Sequence, residues 1–342
     1  MNHSDPHRIL YLDCLRIFAT IAVIFIHVSS QNWYSTKPSS PEWNIFNFYD
    51  SIVRFGVPVF VMISGALFLN TQKKISIRSL YQKNITRIIT AFLFWSVLYV
   101  IYDHHNVTGF EQVISKIIKG PYHMWFLYMI TGLYLITPLL KPIVRDRKLT
   151  IYFLLLSFIL TFLVPAAANF FPVVASVYKK ASFHFTLGYT SYYVAGMYLN
   201  ENEISPKLEK FIYILSLIGF AATIIISAVI ARSKGEPYGY YSNYSIFVML
   251  ESLGVFIFFK NHVGKINFSH RQKQMIYRIS NYSFGIYLVH VMVLKTLKSH
   301  GLTTMTFHPA LSVPVIALIV FLISYVISAV MHRIPVLKNY VI

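Results

Sequence analysis

Apolar runs of about 20 residues recur along the whole chain, and this restricts the fold more than any motif does. A run of that length crosses a bilayer as a helix, with every backbone amide bonded within the segment. Of the residues, 56% are hydrophobic and only 12% are charged, against roughly 25% charged in a soluble domain. The expected fold is all-α: a polytopic transmembrane helical bundle, with 1–342 as a single integral-membrane domain. About ten spans are expected, at 9–30, 45–69, 85–103, 122–141, 150–168, 183–200, 211–231, 243–260, 279–298 and 310–333. The segment 183–200 carries His184, Thr186, Tyr189, Ser191 and Tyr192, and that polarity suggests it faces the bundle interior. His7 and Arg8 before an apolar run resemble a signal peptide, but Asp13 and Arg16 interrupt the run, so an uncleaved first span is expected.

With the N-terminus placed in the cytoplasm, Lys and Arg favour the inner loops roughly two to one. That bias predicts an even number of spans and both termini cytoplasmic. The formal charge of +18 follows from the same bias. The cations are scattered over short loops with no basic face of interleaved aromatics, which argues against nucleic acid as a partner. The single Cys14 excludes an intramolecular disulfide. His104 and His105 adjoin in a loop without a third ligand at metal spacing, so no metal site is expected. Trp33, Tyr34, Trp43, Tyr238, Tyr240 and Tyr241 fall in outer loops, as a rim that stacks on sugar rings or as an interfacial belt.

Charges within spans cost on the order of 2.5–3.5 kcal/mol each on insertion scales, so each asks for a partner or a function. In the first span, "RIFATIAVIFIH" begins with Arg16 and ends with His27. Eleven residues are three helical turns, so the two share a face about 16 Å apart, one at a membrane boundary and one well inside. Asp13 lies three residues before Arg16 and can pair with it. A snorkelling Arg with an interhelical His explains the pattern as well as a catalytic pair does.

The same residues carry a resemblance. "LDCLR" followed by His27 resembles the signature of the acyltransferase-3 family, bacterial integral-membrane enzymes that decorate surface glycans. "RFGVPVFVMISGALF" at 54–68, "HMWFLYMI" at 123–130 and "ISNYSFGIYLVH" at 279–290 resemble further elements of that family, in the family's order. Within it, the chain most resembles the short, domain-free type that includes the enterobacterial-common-antigen O-acetyltransferase. Two departures stand out. Where the family often has Arg-x-x-Arg, this chain reads "YQKNITRII", so Asn84 replaces the first Arg beside Lys83, and Arg87 remains. Ala66 stands where an aromatic is common.

The resemblance implies acyl transfer from cytoplasmic acetyl-CoA, not permanently bound, to a hydroxyl of an envelope glycan or lipid-linked sugar, in the inner membrane. Contact with polysaccharide assembly machinery would follow. Such transfer needs a base for the hydroxyl, or a nucleophile to carry the acyl group, and stabilisation of a tetrahedral oxyanion. His27 is the natural base. Glu251, in an otherwise apolar span, is a candidate to orient it from another helix, or else a structural polar contact. Arg16, Lys83 and Arg87 are candidates for the donor phosphates, whereas Lys73, Lys74 and Arg78 read as solvated loop charges. His123 and Trp125 suit acceptor contact or the membrane interface. Arg54 has a local partner in Asp50, Ser64 reads as a packing residue beside Gly65, and His290 is either structural or pore-lining.

A transporter of glycan intermediates is the alternative, since buried charges suit it equally. Pro58, Pro138, Pro165 and Pro314 do not, however, fall into two related halves of broken helices. A non-catalytic scaffold is a third reading, and it predicts that Arg16 and His27 are dispensable.

Overall fold

The computed structural model describes residues 8–72, 76–103, 109–181 and 183–342. His104, His105, Lys73 and Lys74 lie outside the described residues. Every regular element among those described is helical. The main helices are α1 (Leu10–Ser29), α2 (Pro41–Ser51), α3 (Gly56–Phe68), α4 (Thr86–Tyr102), α5 (Phe110–Lys119), α6 (Trp125–Arg145), α7 (Arg147–Ser157), α8 (Phe183–Glu201), α9 (Pro206–Lys234), α10 (Ile246–Asn261), α11 (His270–Ser299) and α12 (Pro309–Met331).

Local chemistry sets many of the helix starts. Ser40, Ser205 and Ser245 cap α2, α9 and α10 by accepting from Trp43, Leu208 and Phe247 amides, and Pro41 and Pro206 open the first turns of α2 and α9. Ser269 and Gln272 form a reciprocal capping box at α11. Asp146 separates α6 from α7 by accepting from the Lys148 and Leu149 amides.

Among the described residues, 8 helical segments are long and apolar enough to cross a membrane. This makes the chain a multi-pass membrane protein. Helices also form over the other two expected spans, as α8 and α11, but both are too polar to meet that standard by composition. Position within the bundle explains the shortfall. In α8, Thr190, Ser191, Tyr192 and Tyr193 are buried, and in α11 Ser280, Ser283 and His290 are buried. Their polar groups are covered by other helices. The helix over 183–201 is also interrupted at Gly188, where the backbone leaves helical geometry. The second expected span is two helices, α2 and α3, joined by a short turn.

Helix α1 lies at the centre, packed on α3, α11 and α12, and α3 packs most extensively on α8. Gly65 and Gly196 let the α3 and α8 backbones approach closely: a Cβ on Gly196 would come within 2.0 Å of the Met62 carbonyl oxygen.

The aromatics of the outer loops do not form a free rim. Trp33 and Trp43 are buried against each other, with ring centroids 5.7 Å apart, and Tyr241 packs on Trp33. Tyr34 is exposed.

Candidate functional site

A cavity of about 1250 Å³ runs through the bundle. One end is lined by Lys83, Asn84, Arg87, His332 and Lys338; Arg16 and Ser280 follow; His27, Tyr122, His123 and Trp125 line it further on. The three-turn spacing in α1 therefore does bring Arg16 and His27 onto one cavity.

At the Arg16 end, α1 is tied to α11 by an ionic network. Asp13 is 4% exposed and receives both Nε and Nη2 of Arg8, at 2.7 and 2.9 Å. Arg16 Nη1 donates to Asp13 at 3.3 Å and to Ser280 Oγ at 3.0 Å, while Ser280 donates to Asp13 at 2.5 Å. Arg8 also donates to Asn281 and to the Tyr277 carbonyl. The expected Asp13–Arg16 pair is present, but Arg8 makes the tighter bond. Among the described residues, all hydrogen bonds of Arg16 run through Nη1, so the rest of the guanidinium is available to the cavity.

Lys83 and Asn84 sit in a π-helical segment, Leu80–Ile85, that leads into α4. Such widened turns are frequent at functional sites because they re-aim side chains. Here Gln82, Lys83 and Asn84 all line the cavity. Arg87 lines it too, but one guanidinium nitrogen donates to the Ile342 carbonyl, and the group stands 5.8 Å from the Phe284 ring. Part of its donor capacity is thus spent on packing the segment after α12.

At the far end three imidazoles meet. His27 Nδ1 lies 2.6 Å from His290 Nε2, with ring centroids 4.8 Å apart and ring planes 29° from parallel, so the two rings meet edge to edge. His290 Nδ1 lies 2.6 Å from the carbonyl oxygen of Tyr287, one turn back on α11. His123 sits edge-on to both, with centroids 6.1 Å from His27 and 5.2 Å from His290. It is 2% exposed, and among the described residues neither of its ring nitrogens makes a hydrogen bond of good geometry, the nearest backbone acceptor being on Leu288. The cluster is held from behind. Tyr287 donates to the His123 carbonyl at 2.5 Å, and Tyr99 of α4 donates to the Leu288 carbonyl at 3.0 Å while accepting from the Met292 amide at 2.9 Å. Trp125 is 42% exposed, lines the cavity and packs on Tyr189. Among the described residues, no group of three or more His, Cys, Asp or Glu is arranged to hold a metal ion.

Glu251 is placed differently from expectation. It is fully buried between α9 and α10, accepts from Thr223 Oγ1 at 2.6 Å, and does not line the cavity. The position beside His27 that it was expected to fill belongs to His290. The sequence alone gives His290 no partner and does not single out Tyr287, Tyr99 or Ser280. The available signal was that a His inside an apolar span needs a partner, and that Tyr287 lies one turn before it.

Arg54 pairs with Asp50 as expected and also lines the cavity, its guanidinium 3.9 Å above the Tyr241 ring. Burial, with Asp50 adding to it, pushes the Tyr241 phenol up, so it stays protonated and donates to Asn47. Ser64 lines the cavity beside Gly65.

A helical membrane bundle with a cavity that joins cations at one end to imidazoles further along is the class this geometry defines. The chain belongs to the acyltransferase-3 family: the family model, described as an acyltransferase domain, matches residues 9–333. It is also similar to the probable poly-beta-1,6-N-acetyl-D-glucosamine export proteins of Staphylococcus aureus strains MSSA476 and MW2, each 24% identical over 304 residues, 84% of this chain and 83% of theirs. The protein of that name in strain MRSA252 is likewise 24% identical, over 303 residues. No solved structure matches the chain significantly.

Proposed function

We propose that this protein is a membrane O-acetyltransferase of the bacterial inner membrane, with both termini in the cytoplasm. It moves an acetyl group from cytoplasmic acetyl-CoA to a hydroxyl of an envelope polysaccharide or its lipid-linked precursor, in the manner of the enterobacterial-common-antigen type. The observation that carries this reading is that Arg16 and His27 line one continuous cavity. Arg16, Lys83 and Arg87 meet the donor phosphates at the cationic end, and the pantetheine arm lies along the cavity toward His27. There the acceptor oxygen attacks the thioester carbonyl as His27 takes its proton. The C–S bond then breaks, and the thiolate leaves with that proton. His123 and Trp125, both lining the cavity, contact the acceptor or the developing oxyanion. Glu251 enters this reading as a structural carboxyl.

The test compares ester-linked acetyl on surface glycan from cells expressing wild type, His27→Ala and Arg16→Ala at matched membrane levels. Wild type adds acetyl and both variants lose it. Full acetylation by His27→Ala would remove the proposed chemistry.

Export of a glycan is the second reading, favoured by the printed names of the staphylococcal relatives. It expects wild type to change how much glycan reaches the surface without adding ester acetyl. Contact with a polysaccharide assembly complex fits either reading.

A further inference from the structure

We propose that His290 is a positioning residue that fixes the tautomer of His27, in the place a carboxylate would otherwise occupy. This rests on the reading of His27 as the base. A carbonyl oxygen only accepts, so the 2.6 Å contact between His290 Nδ1 and the Tyr287 carbonyl requires a proton on His290 Nδ1. In a neutral imidazole the other nitrogen is then an acceptor. His290 Nε2 therefore accepts across the 2.6 Å contact with His27, and the proton between them belongs to His27 Nδ1. With its proton fixed there, His27 keeps a lone pair on Nε2, the form a base needs.

The orientation begins at backbone. Tyr287 and His290 are three residues apart on α11, and Tyr99 bonds to the Leu288 carbonyl and the Met292 amide on either side of His290. When His27 Nε2 accepts the hydroxyl proton, the imidazolium that forms still donates from Nδ1 to His290. The neutral ring of His290 thus stabilises the new charge through that bond without itself losing a proton. A carboxylate would supply a fixed negative charge; an imidazole supplies only the acceptor, which avoids burying an anion between helices.

Three substitutions separate this role from packing. His290→Gln offers an amide oxygen near the site of Nε2 and can still accept from His27. His290→Asn keeps an amide near Nδ1, able to donate to Tyr287, but does not reach His27. His290→Leu does neither. Acetyl transfer from radiolabelled acetyl-CoA to endogenous membrane glycan should fall by about 10²–10³-fold in kcat for Asn and Leu, with KM for acetyl-CoA unchanged, and Gln should recover at least tenfold over Leu. Equal activity of Asn and Gln would overturn the proposal in favour of a packing role.

The second readout does not depend on turnover. In protein labelled with ¹⁵N in its histidine rings and held in bilayers, the His27 resonances, identified by their loss in His27→Ala, should show Nδ1 protonated and Nε2 bare. His290→Leu should shift that balance. A wild-type His27 with its proton on Nε2 would overturn the proposal even if acetyl transfer is found. The expected tautomer in a protein that transfers no acetyl would keep the pairing and remove the enzymatic reading.

Discussion

A Cβ on Gly65 would lie 1.8 Å from the carbonyl oxygen of Tyr193, so the α3 and α8 backbones touch at a point where only hydrogen fits. Small residues at helix crossings drive association within a bilayer, where neighbouring lipid is as apolar as the helices themselves. Gly65→Val should therefore separate the two helices and destabilise the protein by about 3 kcal/mol. Thermal unfolding in detergent and the yield of monodisperse protein will check this. A Val variant as stable as wild type would mean that α8 sits further from α3.

The second prediction concerns the α1–α11 tie. Asp13→Ala leaves Arg8 and Arg16 without their shared anion, whereas Ser280→Ala removes a hydroxyl that accepts from Arg16 and donates to Asp13 but leaves the Arg8–Asp13 pair in place. Loss of one partner of a largely buried ion pair costs about 3–5 kcal/mol, and a hydrogen bond to a charged group about 1.5–3 kcal/mol; Asp13→Ala loses the ion pairs and the Ser280 bond together. Arg8 and Arg16 are each partly exposed, so the lower end applies to Asp13. Unfolding midpoints should fall in the order Asp13→Ala, then Ser280→Ala, then wild type.

Glu251 provides a test of placement. Its Oε1 accepts from Thr223, and its Oε2 is buried without a partner among the described residues. Glu251→Gln keeps an acceptor for Thr223 and removes a buried acid. Acetylation by this variant should stay within about twofold of wild type, with stability unchanged or raised, as when a poorly paired buried charge is replaced. Loss of acetylation at full stability would return Glu251 to the catalytic group.

A fourth prediction uses the cationic end of the cavity. Asn84 already lines it beside Lys83. Asn84→Arg adds a guanidinium able to bond phosphate oxygens in pairs, which Lys83 cannot do. The KM for acetyl-CoA should drop about 3- to 10-fold, with kcat little changed, in a membrane assay of acetyl transfer. An unchanged KM would place the donor phosphates elsewhere.

Helix identity was legible in the sequence because it is local. Each of the ten expected spans is helical, although the second is two helices and α8 and α11 are too polar to meet the membrane-crossing standard. The three-turn spacing placed Arg16 and His27 on one face of α1 because helix pitch is constant. The order of the motifs between Leu12 and His290 points to the family whose model the chain matches over 9–333. What the sequence could not give was any relation that depends on how helices rotate and slide against one another. His27 and His290 are 263 residues apart, and only the packing of α11 on α1 brings their nitrogens to 2.6 Å. Glu251 carries the same buried carboxyl in sequence whether it faces His27 or Thr223; the α9–α10 contact decided for Thr223. Trp33 and Trp43 read as loop aromatics until the tertiary structure turned them against each other. Composition and periodicity fixed which segments are helices and which face of α1 is polar, whereas contact across the bundle, set by helix packing and close glycine crossings, decided which polar groups meet.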